Sequence, residues 1–314
     1  MKGSHWIIAG LSLFLMLASG SCGSKKPKVV TPTESGPELS GPKKRVGIFQ
    51  FKNKSRYGQD KLSWAAVDIM YSELEKTGMF ILYERADLAQ LEKEFDLIES
   101  GKIALQTAAE PGRLTGLQAV VIGTISQFGI WEEAKDYGVY QKKTEIAEST
   151  VDVRVVDITS GRQIFAETGT GRTERELETV FGFGEKASFD ETMADKALRS
   201  AISQFINNLV REVSALPWEG RVADVSHEGG REMVYVNAGR LSNMPLGARL
   251  VVYRVTGTLT DPVTQEFLGY KKKPLGTAEV VDYTGEDACI AHMISGKGAA
   301  RGDLVVMEKD SGKW

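Results

Sequence analysis

The sequence predicts two folded parts of different class: an α/β part with a mixed sheet packed against helices over residues 43–215, and a small all-β barrel over residues 217–314. Three observations predict this. Helical repeats alternate with short apolar runs in the first part. The last and longest repeat is broken at Leu216-Pro217-Trp218. Beyond that break, β-rich runs are separated by Gly, Pro, Asn and Asp.

Taken in order, the first element is an export signal over residues 1–21. Lys2 leads into the run from Trp6 to Ala18, thirteen residues interrupted only by Gly10 and Ser12, and small residues follow up to Cys22. The run is shorter than the roughly twenty apolar residues a spanning helix needs. Cys22 is the expected lipidation residue. Ser19 stands where such boxes usually carry Leu, so an ordinary signal-peptidase site after Gly20 is the competing reading. Gly23, rather than Asp, directs the expected lipoprotein to the periplasmic side of the outer membrane. Residues 22–42 carry Pro27, Pro32, Pro37 and Pro42 among Ser, Thr, Gly and Lys, a composition that builds no core. They read as a lipidated tether reaching up to roughly 60 Å at about 3.1 Å per residue.

Val46 to Phe51 is a buried strand by composition. Trp64, Val67, Tyr71 and Leu74 fall at helical spacing with Gly78 as the stop, which puts Trp64 in the core. Met79 to Tyr83 is a short strand. Leu88, Leu91, Phe95 and Ile98 repeat the helical spacing, and Phe95 is likewise expected in the core. Ala119 to Ile125 suits a sheet centre. From Thr150 to Ile158, Val151, Val153 and Val155 face in while Asp152 and Arg154 face out. Thr159-Ser160-Gly161-Arg162 then turns the chain into a strand from Gln163 to Thr168. Leu198, Ile202, Phe205, Leu209 and Val213 stripe the closing helix, with Ser188 and Glu191 as its capping box. Seven barrel strands are expected, around Arg221–Val225, Met233–Val236, Arg249–Val255, Phe267–Tyr270, Gly276–Val281, Ala288–Ile294 and Leu304–Met307.

Charge and chemistry narrow the function. Lys plus Arg number 39 against 42 Asp plus Glu, a formal net charge of −3, and the basic residues are dispersed, which argues against nucleic acid as a partner. Only Lys25-Lys26-Pro27-Lys28 and Lys271-Lys272-Lys273 cluster; the first lies where it would hold a tether near anionic headgroups. Of the three histidines, His5 leaves with the signal, and neither His227 nor His292 has a metal-ligand or catalytic partner at motif spacing. Gly296-Lys297-Gly298-Ala299-Ala300-Arg301 lacks the third Gly of a dinucleotide fingerprint and reads as a turn. Arg301-Gly302-Asp303 matches an adhesion tripeptide, but its Asp303 is expected to start the last strand. Cys289, left alone once Cys22 is acylated, reads as a small buried hydrophobe. No catalytic residue, cofactor or metal is expected, and the chain reads as a non-enzyme.

Four stretches carry a family resemblance: Arg45-Val46-Gly47-Ile48-Phe49, Leu82-Tyr83-Glu84-Arg85, Leu117 to Ile125, and Val153 to Gly161. In this order, between a lipoprotein signal and a closing helix, they resemble the family of the curli-secretion channel CsgG and the holdfast-anchoring protein HfaB. The tail, through Val234-Tyr235-Val236-Asn237-Ala238-Gly239, Asp261 to Gly269 and Gly302-Asp303-Leu304-Val305, resembles the C-terminal domain of the flagellar assembly protein FlgT. That second resemblance implies an SH3-like barrel that contacts proteins.

Channel members of the family insert two amphipathic hairpins into the membrane. The first corresponding slot here, residues 129–149, carries Glu132, Glu133, Lys135, Asp136, Lys142, Lys143, Glu145 and Glu148 on odd and even positions, so neither strand face is fit for lipid. In the second, Leu177, Thr179, Phe181 and Phe183 share one face opposite Glu174, Glu176 and Glu178. Leu177, Phe181 and Phe183 are therefore the candidate membrane or subunit contacts. Trp131, Tyr137 and Tyr140 in the first slot, with Phe181, Phe183 and Phe189, form either a docking surface or ordinary loop packing. The resemblance implies a homo-oligomeric ring, tied to the outer membrane by a lipid and serving secreted or periplasmic protein clients in the export, assembly or anchoring of surface fibres or appendages. The alternative is a tethered regulator of envelope machinery without a pore, of the cell-wall-synthase activator or flagellar assembly type.

Overall fold

In a computed structural model, residues 41–83, 116–136, 141–179, 191–264 and 267–310 are described, together with Leu88, Ala89, Glu92 and Lys93. The export signal, the tether, Phe95 and the remainder of its helical repeat, and the Ser188 cap lie outside the described residues.

The α/β layer is built on β1 (Lys44–Ile48), β2 (Lys52–Asn53), α1 (Gln59–Thr77), β3 (Phe80–Tyr83), β4 (Ala119–Asp136), β5 (Gln141–Asp157), β6 (Gln163–Thr179) and α2 (Glu191–Ala215). These strands form one mixed sheet in the order β3-β1-β4-β5-β6, with β2 pairing β4 beyond the end of β1. β1 runs parallel to both β3 and β4, whereas β4-β5-β6 is an antiparallel meander. The expected turn joins β5 to β6 where it was read from the sequence.

Both described helices cover one sheet face. Leu198, Ile202, Phe205, Leu209 and Val213 of α2 are all buried, as their spacing requires. Gly169 and Gly171 on β6 let α2 come close: a Cβ at Gly171 would lie 2.0 Å from the Ala197 carbonyl oxygen, and one at Gly169 would lie 2.1 Å from that of Ala201. α1 stops at Gly78, whose N–H donates to the Glu75 carbonyl. Its buried stripe is the expected one only in part. Val67 and Leu74 are buried together with Leu62, Ala66, Ile69 and Met70, while Trp64 is 47% exposed and Tyr71 only partly covered. α1 packs against α2 as well as the sheet. Close packing favours the face with Ser63 and Ala66, and the bulky indole turns toward solvent.

The charged slot belongs to the same sheet. In its described residues, 129–136 and 141–149, β4 and β5 pair without interruption from Gln127↔Thr150 to Asp136↔Gln141, and β6 pairs alongside as far as Thr179. Lateral pairing satisfies the backbone even where side-chain alternation is poor.

The second part comprises β7 (Glu219–Glu228), β8 (Arg231–Val236), β9 (Arg249–Thr260), β10 (Phe267–Thr284), β11 (Ala288–Gly296) and β12 (Leu304–Met307). They close into a barrel in the order β10-β11-β8-β7-β12-β9. Six strands, not seven, suffice because the two runs around Phe267–Tyr270 and Gly276–Val281 are one long β10. Register shifts flank Gly276, so β10 bends where it passes from β9 alone to β9 and β11 together. The barrel core gathers Trp218, Val222, Val234, Val236, Leu250, Val252, Ala278 and Cys289.

Barrel and layer are joined by polar contacts at the base of β1. Arg45 donates to Asp287 at 2.7 Å and to the Asn237 carbonyl. Asp287 also accepts from the Gly239 and Ser242 N–H groups and from the Ser242 hydroxyl. The Lys43 N–H donates to the Ser242 carbonyl at 2.7 Å. Burial opposes charge on Asp287, but these donors and the guanidinium together hold its carboxyl below the usual aspartate value.

Candidate functional site

A cleft of about 640 Å³ opens where the β5–β6 turn, the α2–β7 connection and the β9–β10 hairpin meet. Its size and its place between two folded parts are those of ligand-binding clefts. One wall is a rigid turn. The Asp157 carboxylate accepts from the N–H groups of Thr159 and Ser160 and from the Ser160 hydroxyl, and the Gly161 N–H returns to the Asp157 carbonyl at 2.7 Å. The opposite wall is the part of the β9–β10 hairpin that projects past the barrel. Tyr253 and Leu259 of β9 line the cleft with Leu268, Tyr270 and Lys272, alternate residues of β10. Leu216 and Pro217, the break that ends α2, form the floor with Gln118, whose side-chain amide donates to the Pro217 carbonyl at 3.3 Å.

Glu219 is the charged group at the centre of this junction. Its side chain is only 9% exposed. Oε2 accepts from the Thr159 hydroxyl at 3.1 Å, and Oε1 lies 3.8 Å from Lys272 Nζ. Oε1 has no hydrogen-bond partner. Burial pushes the Glu219 carboxyl above the usual glutamate value, against the pull of Lys272, Arg221 and the Thr159 hydroxyl. Burial likewise pushes the Lys272 ammonium below its usual value, with the Glu219 charge opposing. The same desolvation therefore disfavours both charged forms.

Cys22, the candidate lipidation residue, lies outside the described residues, as do Phe181, Phe183, Tyr137, Tyr140 and Phe189. Of Leu177 only the backbone is described; it stands opposite Lys143 in the β5–β6 ladder. Trp131 is 38% exposed, with the Arg172 guanidinium 5.9 Å from its ring centre. Around it the paired strands carry ion pairs between Lys143 and Glu132 (3.7 Å), Arg172 and Glu174 (2.9 Å), and Arg175 and the fully buried Glu145 (2.5 Å). His227 is exposed, 4.0 Å from Glu232, and His292 sits in β11 opposite Met233 and Glu279. Among the described residues no group of His, Cys, Asp or Glu could hold a metal ion. Cys289 is buried, and desolvation raises its thiol pKa to about 12. Asp303 of the adhesion tripeptide is held by Arg254 and by the Ala300 N–H, directly before β12. No described helix is long and apolar enough to cross a membrane, which says nothing of crossing by strands.

Sequence reasoning missed the cleft. Glu219, Lys272 and Thr159 are 53 and 60 residues from their partners along the chain, as the numbering of Glu219 against Lys272 and Thr159 shows. The available signal was a lone carboxylate directly after the Leu216-Pro217-Trp218 break.

The layer of sheet and helices, with its charged three-strand extension, defines the chain as an α/β protein with an all-β barrel appended. The profile of the curli production assembly/transport component CsgG matches residues 33–236, and the chain belongs to that family. The match covers the α/β layer and reaches the second barrel strand. NMB1126/NMB1164 of Neisseria meningitidis serogroup B, named as an inferred lipoprotein, is 26% identical over 196 residues, 58% of this chain and 82% of that one. Among solved structures, the hypothetical protein CT253 of Chlamydia trachomatis is similar with a TM-score of 0.36 at 13% identity, covering 55% of this chain and 99% of its own. Lipoprotein GNA1162 of Neisseria meningitidis has a TM-score of 0.33 at 12% identity, covering 54% of this chain and 99% of its own.

Proposed function

We propose that this chain is a non-enzymatic lipoprotein anchored through Cys22 to the periplasmic side of the outer membrane. There it assembles as a homo-oligomer and scaffolds the export, assembly or anchoring of cell-surface fibres or appendages. Membership of the CsgG family carries the reading. The export signal ending at Cys22 and the Pro-rich tether support the anchor. The reading draws on no nucleotide, metal or catalytic side chain; protein contact is the chemistry it needs.

A second reading, a tethered regulator of envelope machinery that makes no pore, is favoured by the ion pairs on β4, β5 and β6. Charged side chains facing lipid near a bilayer midplane cost about 2–4 kcal/mol each for Lys or Arg. Two measurements on the purified, lipidated protein separate the readings. Native mass spectrometry from detergent reports a defined oligomer under the scaffold reading; a strict monomer overturns it. Planar-bilayer conductance, with a variant deleted for residues 176–186 alongside, reports discrete channels lost in the variant if the scaffold is a pore. A well-folded oligomer that stays silent supports a scaffold without one.

A further inference from the structure

We infer that the cleft between the β5–β6 turn and the β9–β10 hairpin is a peptide-binding site, which takes a short extended segment with an apolar side chain and presents a buried carboxylate to its backbone N–H. This goes beyond the scaffold reading and stands on the chemistry of the cleft alone.

Three features carry it. The first is the buried carboxylate: Glu219 is 9% exposed, and its Oε1 has no hydrogen-bond partner although Oε2 is satisfied by Thr159. A buried acceptor without a hydrogen bond is costly even with an ammonium 3.8 Å away, so an occupant that brings a donor gains. The second is the sign of the surroundings. Lys272 lies 3.8 Å from Oε1, and Arg221 also acts on Glu219, so a further cation would be repelled. A neutral donor fits, and the amide N–H is the neutral donor that an extended chain repeats. The third is the apolar wall. Leu259 and Leu268 are 43% and 52% exposed at the cleft, beside Tyr270. Apolar side chains on a strand surface next to convergent polar groups are the arrangement that anchors one side chain of a peptide and fixes its direction. A hydroxyl-rich glycan would supply neutral donors but would leave those leucines uncovered.

The test is backbone amide shift mapping on the whole mature chain carrying Cys22→Ser, titrated with the capped pentapeptide acetyl-Gly-Leu-Ser-Leu-Gly-amide. Saturable shifts are expected at Thr159, Ser160, Glu219 and residues 268–272. A peptide N-methylated at its internal amides should bind about tenfold more weakly, since it lacks the donor. Leu268→Asp, at a position exposed enough to leave the fold intact, should weaken binding by at least about tenfold. The inference is overturned by shifts that do not saturate or fall elsewhere, by equal binding of the N-methylated peptide, or by maltotetraose binding the same residues more tightly than the pentapeptide. None of these results would bear on oligomerisation, which is read separately.

Discussion

Removing the carboxylate of Asp287 should uncouple the barrel from the α/β layer. In the wild-type chain Asp287 accepts from Gly239, from Ser242 twice and from Arg45, and the Arg45 side chain is only 9% exposed. Asp287→Ala therefore leaves a nearly buried guanidinium with the Asn237 carbonyl but without its counter-charge, and orphans two backbone donors. Breaking one side of a buried ion pair costs about 3–5 kcal/mol. Because the Asp287 side chain is 17% exposed, the lower end, about 3 kcal/mol, is expected. Urea unfolding followed by tryptophan fluorescence measures it, with buried Trp218 reporting on the barrel. Arg45→Met alone and combined with Asp287→Ala completes a double-mutant cycle, in which the pair should show a coupling of at least about 1 kcal/mol. The pH dependence follows from the depressed Asp287 carboxyl. A folded value below the unfolded one gives stability that is present above the usual aspartate value of 3.8 and is lost as pH falls through the folded value. The difference between wild type and Asp287→Ala should accordingly shrink below about pH 4. A loss under about 1 kcal/mol at neutral pH, or a difference that grows on acidification, would refute the assignment of this contact as the lock between the two parts.

Three further outcomes are expected. Gly171→Val, which drives a side chain into the Ala197 carbonyl, should lower stability by at least about 2 kcal/mol in thermal melts; an unchanged melt would mean that α2 does not pack on β6 as described. Trp64→Ala should cost under about 1 kcal/mol in the same assay, against about 3–5 for a core tryptophan, because the indole is half exposed. Cys289 should resist a thiol reagent at pH 8 in the native protein and react fully in urea, since its buried thiol titrates near 12 and carries almost no thiolate; rapid native modification would show that β11 opens.

Much of the fold was legible because its signals are local. The α2 stripe from Leu198 to Val213 and the alternation of Val151, Val153 and Val155 each repeat at the period of their own element, so a single segment reveals which side is buried. Thr159-Ser160-Gly161 similarly announced a turn whose hydrogen bonds close within a few residues of Asp157. Where two faces of one segment compete, this logic fails. On α1 the buried face takes in Val67 and Leu74 of the apolar stripe but is turned toward Leu62, Ala66 and Met70 and away from Trp64, a choice made by how closely α2 and the sheet approach. The charged strand segments 129–136 and 141–149 were illegible for a related reason: their pairing is stabilised by the neighbouring strands and by cross-strand ion pairs, not by an alternation of their own.

The sequence by itself determined the succession of most elements, the break between layer and barrel and the family to which the chain belongs, since each is encoded in short-range pattern or in residue order. Only the tertiary structure decided that Arg45 meets Asp287, that β10 is a single bent strand, and that Glu219 is buried beside Thr159 and Lys272 with one oxygen lacking a hydrogen-bond partner. Those contacts join positions far apart in the chain, and no local period records which distant group will desolvate a charge or which will neutralise it.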